Sequence, residues 1–243
     1  MANKIILPKV YEINDNTPEK YHIHEGKPKI SYSQKTSWLD PQYHGNYIKQ
    51  YFSGVPSVDN IFNVFGSEVG EFIEAVANGE KPKTDVTFLE DEDRNILNNL
   101  DYPSKSVYED EIVIDRGDYV IQGFTDRTQY FDDGGVGIRD YKTGNVDTKA
   151  KFYASEEYGQ TTLYMYQKEV EGFTPKYSHV MLLGRKGNNM MYKSGLSRVR
   201  LSGDNKIIDT PYSKERAEKL LLSFDKAVQE ISETYKTYLK VFG

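Results

Sequence analysis

The stretch Gly123-Phe-Thr-Asp126, followed after a glycine-rich turn by Ile138-Arg-Asp140-Tyr-Lys142-Thr-Gly144, decides how the rest of the chain is read. From Glu109 onward, apolar residues recur with period two. Residues 112–114, 119–124 and 136–141 read as three strands. Asp132-Asp-Gly-Gly135 offers turn chemistry between the second and third. The strands carrying Asp126 and Asp140 are therefore expected to be antiparallel neighbours joined by a hairpin, with both acids at one end of a sheet. Side chains alternate across a strand, so Lys142 shares a face with Asp140. Aspartate is disfavoured inside strands, which marks Asp140 for attention.

Two carboxylates with a lysine beside them suit metal-assisted phosphodiester cleavage. Mg²⁺ or Mn²⁺ would take carboxylate oxygens from Asp126 and Asp140 and the backbone carbonyl of Tyr141. A bound water of lowered pKa would attack phosphorus. As a base, Lys142 would need a pKa far below its reference of about 10.4. Neighbouring carboxylates hold a lysine protonated, which favours an electrostatic role on the phosphate. The competing reading makes Asp126 a strand-end turn residue and Asp140–Lys142 a surface pair. A lone Asp-x-Lys is a weak motif. The ordered set of strand, Asp, hairpin, Asp-x-Lys and helix carries the argument.

Composition is compatible with this. The chain has 243 residues, 28% of them charged and 13% aromatic, which suits one globular domain with a substantial core. There are no cysteines, so this chain supplies no disulfide, thiolate zinc site or iron–sulfur cluster. No apolar run approaches a membrane span, no secretory signal is evident, and a cytoplasmic location is expected. The net charge of −6 weighs mildly against a nucleic-acid binder. A local basic channel beside an acidic metal site would reconcile the two.

Around the central strands, residues 1–28 read as an arm with proline at 8, 18 and 28. Ser31 offers a helix N-cap, and Trp38, Leu39, Tyr47, Ile48 and Tyr51 suit a helix broken at Pro41. Residues 65–77 form the best-patterned early helix, with Phe65, Val69, Phe72, Ile73 and Val76 on one stripe. Gly66 and Gly70 flank that stripe and would admit another backbone. Residues 78–108 read as an acidic loop with a short helix near 92–98. A helix is expected over 153–169, a strand over 177–183 and a strand pair at 199–201 and 206–208. A long helix is expected over 213–241, with Ala217, Leu220, Leu221, Phe224, Ala227, Ile231 and Tyr235 inward.

With these pieces in place, the chain resembles the PD-(D/E)XK nuclease superfamily, in particular its RecB-like branch of phage-type exonucleases. The resemblance covers roughly residues 30–183. Ile30-Ser-Tyr-Ser-Gln34 resembles the opening helix cap, Phe65-Gly-Ser-Glu-Val-Gly-Glu71 the first motif, and Gly123-Phe-Thr-Asp126 the second. Ile138 to Gly144 resembles the third motif, and Gln160-Thr-Thr-Leu-Tyr164 the Gln-x-x-x-Tyr helix that follows. The resemblance implies an α/β fold with a central mixed sheet flanked by helices, a restriction-endonuclease-like core. It implies a metal-dependent deoxyribonuclease with Asp126 and Asp140 as ligands, Lys142 and Gln160 catalytic, and Tyr164 and Ser33 supporting the site or contacting DNA. An exonuclease of recombination, repair or DNA degradation is favoured, with DNA as substrate and a recombination or replication protein as a possible partner. An endonuclease and a non-catalytic DNA-binding module on the same fold are the alternatives.

The chain departs from the pattern in the first motif. Many relatives carry a metal-binding histidine where Gly70 stands. Glu68, Glu71 and Glu74 are the nearest acids, and Glu71 is preferred if a kink at Gly70 turns it inward. Without such a ligand the site holds a single metal. His22, His24, His44 and His179 read as surface or core residues. Arg185, Lys186, Lys193, Arg198 and Arg200 are candidates to line a DNA path, or simply a solvated loop.

Overall fold

The computed structural model describes residues 4–8, 23–55, 60–82, 88–187 and 199–242. In chain order the strands are β1 (Ile23–His24), β2 (Lys27–Ile30), β3 (Ser106–Val107), β4 (Asp110–Asp115), β5 (Val120–Thr125), β6 (Arg127–Tyr130), β7 (Gly135–Gly144), β8 (Thr174–Lys186) and β9 (Arg200–Asp209). The helices are α1 (Tyr32–Leu39), α2 (Pro41–Tyr47), α3 (Ile61–Ala77), α4 (Asp91–Asn98), α5 (Val146–Tyr153), α6 (Gln160–Val170) and α7 (Lys214–Phe242), with a π-helical turn at Ile48–Phe52. The protein is mixed α/β, with two sheets where one was expected. The chain forms two compact units, one of residues 1–58, 111–123 and 215–243 and the other of residues 59–110 and 124–214. Among the described residues no helix is long and apolar enough to cross a membrane.

The first unit contains a four-stranded sheet in the order β1-β2-β5-β4. Part of the expected arm thus belongs to a sheet: β1 and β2 form a hairpin, and β2 runs parallel to β5 with Ile30 opposite Ile121. Residues 1–3 and 9–22 of the arm lie outside the described residues. Ser31 caps α1 through a reciprocal pair with Gln34. Asp40 caps α2 from just before Pro41, so the chain breaks where proline was expected to break it. The inner face of α7 carries Ala217, Leu221, Phe224, Ala227, Ile231 and Tyr235. Phe52 packs on Tyr235 at 5.0 Å, and Arg116 and Tyr119 both donate hydrogen bonds to Asp225.

The second unit is built on a five-stranded sheet in the order β3-β6-β7-β8-β9. β7 and β8 are parallel, and the other neighbouring pairs are antiparallel. Alternation divides the central strands between two cores. Tyr141, Met181 and Leu183 join Phe65, Val69, Phe72 and Ile73 of α3 and Leu97 of α4. Val180 and Leu182 join Tyr158 and Ile208 on the opposite face. Each fully buried residue of the α3 stripe contributes about 1.5–3 kcal/mol by removal from water. Gly66 faces the Thr143 side chain rather than a backbone, and a Cβ at Gly70 would meet open space.

Two elements differ from expectation. The helix expected over 153–169 is α6, which starts only at Gln160, and an unexpected helix, α5, precedes it and is joined to it through residues 154–159. Asn145 caps α5 by accepting from the Thr148 N–H, and Gly159 stands at the start of α6. The pair expected at 199–201 and 206–208 is the single strand β9, which shifts register against β8 between Leu183 and Arg185. Gly203, at φ +85°, takes the left-handed conformation at that irregularity. A Cβ on Gly184 would stand 2.4 Å from the Asp204 carbonyl oxygen and 2.3 Å from Ser202 Oγ. Gly184→Ala is accordingly expected to destabilise the protein by about 1–3 kcal/mol, measured by denaturant unfolding. An unchanged midpoint would show that β9 yields freely there.

Candidate active site

β6 and β7 pair antiparallel, with Arg127 opposite Arg139. One step further along that register, Asp126 comes beside the Asp140–Tyr141 segment. The turn expected at 132–135 makes the hairpin, with Gly134 at φ +77°. Asp126 accepts a hydrogen bond from the Tyr141 N–H at 2.5 Å. Asp140 is 1% exposed, on the face of β7 that packs towards Tyr158. Lys142 lies on the same face and its Nζ stands 2.6 Å from Asp140 Oδ2. Asp126, Asp140 and Lys142 thus converge, but the hairpin partner of β7 is β6, and the expected partner over 119–124 is β5, which belongs to the other sheet.

The electrostatics follow from this crowding. Burial first, then the Asp140 charge, pushes the Asp126 carboxyl up to about 7, with Lys142 and the Tyr141 N–H opposing. Burial works against the charge of Lys142, but Asp140 and Asp126 outweigh it and hold the ammonium well above the usual lysine range. A carboxyl raised in the folded state binds its proton more tightly there than in the unfolded chain. Asp126 therefore favours the folded state below its unfolded pKa of about 3.9, and this advantage is lost as pH rises towards about 7. In metal-free protein, Asp126→Asn is expected to gain stability relative to wild type as pH rises through that window and to hold a constant advantage above it. Thermal melts in chelator between pH 4 and 8.5 would show this, and a pH-independent difference would contradict it.

Asp140 Oδ2 accepts from both Lys142 and the hydroxyl of Tyr158, the latter at 2.9 Å. Its other oxygen, Oδ1, is buried with no hydrogen-bond partner among the described residues. An acceptor left so costs about 1–3 kcal/mol. Gln160 and Tyr164 lie one turn apart on α6, and Gln160 Nε2 donates to Tyr164 Oη at 2.9 Å. Gln160 Oε1 stands 3.4 Å from Tyr158 Oη. Tyr158 went unnoticed in the sequence. One tyrosine among 20 carries no local signal, and only its contact with Asp140 singles it out.

The first-motif acids separate clearly. α3 continues unbroken through Gly70, so no kink turns Glu71 inward, and Glu71 is exposed. Glu68 accepts from the Phe88 N–H at 2.6 Å. Glu74 acts on Glu109, which in turn neighbours Lys142 and Asp140. Burial raises the Glu109 carboxyl, and Glu74 and Asp140 raise it further against Lys142. Glu109 holds a left-handed backbone at φ +52°, which is uncommon without glycine. Among the described residues no three acidic or histidine side chains are arranged to hold a metal ion; the converging pair is Asp126 and Asp140.

The basic candidates divide as well. Arg185 stacks over the Phe62 ring at 3.9 Å and lines a cleft with Asn145, Asp147, Ser202 and Asp204. Lys186 is exposed. Arg200 pairs with Glu90 and reaches Asp93 at 3.9 Å, which ties β9 to the start of α4 rather than freeing the guanidinium for DNA. Lys193 and Arg198 lie outside the described residues. Ser33 is exposed on α1 in the first unit, with its hydroxyl 3.0 Å from that of Ser31. His44 bonds to the Trp38 carbonyl and His179 to Asp209, while His22 lies outside the described residues.

The family model of the PD-(D/E)XK nuclease superfamily matches residues 66–237, from α3 into α7. The chain belongs to the PD-(D/E)XK nuclease superfamily. The match spans Asp126, Asp140, Lys142, Gln160 and Tyr164. Membership makes this protein a nuclease, a hydrolase of phosphodiester bonds, in a superfamily that generally uses divalent metals such as Mg²⁺. No curated protein matches the chain.

Proposed function

We propose that this nuclease is a Mg²⁺- or Mn²⁺-dependent DNA exonuclease of the RecB-like, phage-type branch, acting in recombination, repair or DNA degradation. The observation that carries the metal site is the buried Asp140 Oδ1, which has no partner among the described residues although Oδ2 beside it has two. An acceptor left bare beside a second carboxylate suits a cation. The donor set is oxygen alone, as a hard divalent ion requires. Asp126 and Asp140 would hold the ion together with the Tyr141 carbonyl. When bound, it would supply Lewis-acid activation of phosphate and water.

The chain's own residues do the rest. Lys142, kept cationic by its two carboxylate neighbours, offsets charge that grows on the phosphate and orients the attacking water. Gln160 and Tyr164 brace the site from α6. Glu74 and Glu109 add negative potential on the α3 side. Arg185 and Lys186 remain candidates for phosphate contacts along the strand.

The exonuclease reading rests on the spelling of the second and third motifs and on the Gln-x-x-x-Tyr pair of α6. It is tested with end-labelled linear DNA and covalently closed circular DNA in parallel, with Mg²⁺ or Mn²⁺. Loss of linear DNA alone supports an exonuclease. Cleavage of the closed circle moves the assignment to an endonuclease, and binding of both without cleavage moves it to a DNA-binding module.

A further inference from the structure

We infer that Tyr158 is a positioning residue for Asp140, holding one carboxylate oxygen in place so that the other is presented to the divalent ion. This rests on the metal-dependent reading above. The two oxygens of an ionised carboxylate are chemically equal, so what distinguishes them here is their surroundings. Both donors to Asp140 among the described residues, the Tyr158 hydroxyl at 2.9 Å and the Lys142 ammonium at 2.6 Å, fall on Oδ2. Oδ1 is buried with no hydrogen-bond partner among the described residues. Lys142 sits on a flexible stem and is partly exposed, so it adapts to wherever the carboxylate turns. Tyr158 does not adapt. It is 3% exposed and packs with Val180, Leu182 and Ile208. Its ring meets Tyr153 edge-on at 5.0 Å and Phe152 at 5.9 Å.

The same hydroxyl explains how Gln160 reaches the centre. Tyr158 has one proton to donate. Asp140 at 2.9 Å is the close acceptor, and Gln160 Oε1 at 3.4 Å is the distant one. Gln160 gives its own amide hydrogen to Tyr164 at 2.9 Å. Gln160 and Tyr164 therefore bear on Asp140 through Tyr158, which stands two residues before the Gln-x-x-x-Tyr pair.

The test is Mn²⁺ binding to the full chain by titration calorimetry, without DNA, at a temperature well below the unfolding transition of each variant. Tyr158→Phe removes one oxygen and keeps the ring. It is expected to weaken Mn²⁺ binding about 10–100-fold, the usual loss when support for a metal ligand is removed. Gln160→Leu keeps the phenol and removes its distant partner, so a smaller loss is expected. It serves as the second variant should Tyr158→Phe fold poorly. A purely structural tyrosine would lower the melting temperature and leave Mn²⁺ affinity as in wild type, and that result in either folded variant overturns the inference. Failure of the wild type itself to bind Mn²⁺ would instead overturn the metal-dependent reading.

Discussion

Lys142→Ala is expected to slow DNA cleavage by about 10²–10³-fold, the loss seen when one preorganised charge-stabilising donor is removed, while Mn²⁺ still binds. Lys142 sits 2.6 Å from Asp140 on the face shared with Tyr158, with its ammonium kept charged by Asp140 and Asp126. In the proposed mechanism such a group acts where negative charge develops on phosphate, not as a base. Removing it leaves two carboxylates uncompensated in the metal-free protein. Melting in chelator is therefore expected to fall below wild type, with added Mg²⁺ restoring most of the loss. Single-turnover cleavage and Mn²⁺ titration on the same preparation separate the two effects. Cleavage at the wild-type rate would remove Lys142 from the chemistry. Loss of Mn²⁺ binding alongside activity would make its role structural.

Asp140→Asn is expected to be more severe, because it removes the proposed ligand itself. Its loss of cleavage should exceed the roughly 10–100-fold cost of altering a residue that merely supports a metal ligand. A cation that binds only the folded protein stabilises it by about 2.7 kcal/mol at 100 times its dissociation constant. That increment should appear in the wild type on adding Mg²⁺ and vanish in the variant. The metal-free variant should lose little stability. The asparagine carbonyl can still accept from Tyr158 and Lys142, and its amide falls where Oδ1 already lacks a partner among the described residues. Thermal melts with and without Mg²⁺ give both numbers. An Mg²⁺-induced shift as large as in the wild type would show that the ion binds elsewhere.

The turn, β7 and its acids were legible because each signal was local, whereas β6 was missed and the strand over 119–124 turned out to be β5 of the other sheet. Period-two apolarity, the Asp-Asp-Gly-Gly turn and the same-face spacing of Asp140 and Lys142 need nothing beyond neighbouring residues. The α3 stripe and the long α7 were legible for the same reason, since one apolar face repeats at the helical period. What escaped depended on distant partners. β9 looked like two strands because Ser202-Gly-Asp204 spells a turn, yet pairing with β8 carries the chain through as an irregularity. α5 and the late start of α6 were hidden by a continuous polar-aromatic stretch, although Asn145 and Gly159 were signals at the two helix starts. Glu71 was preferred over Glu74 on the assumption of a kink, and an unbroken α3 leaves it exposed. Arg200 read as a free cation until β9 brought it to Glu90. Tyr158 had no local mark at all, and its hydrogen bond to Asp140 exists only in the folded chain.

The most direct test of the metal-dependent centre is release of label from linear DNA by chelator-stripped wild-type protein as Mg²⁺ is titrated back, with Mn²⁺ in a parallel series. The structure predicts no release without the cation and a saturable rise as it is restored. Release that persists undiminished in chelator, or none at any concentration of either metal, would contradict a metal-dependent centre at Asp126 and Asp140.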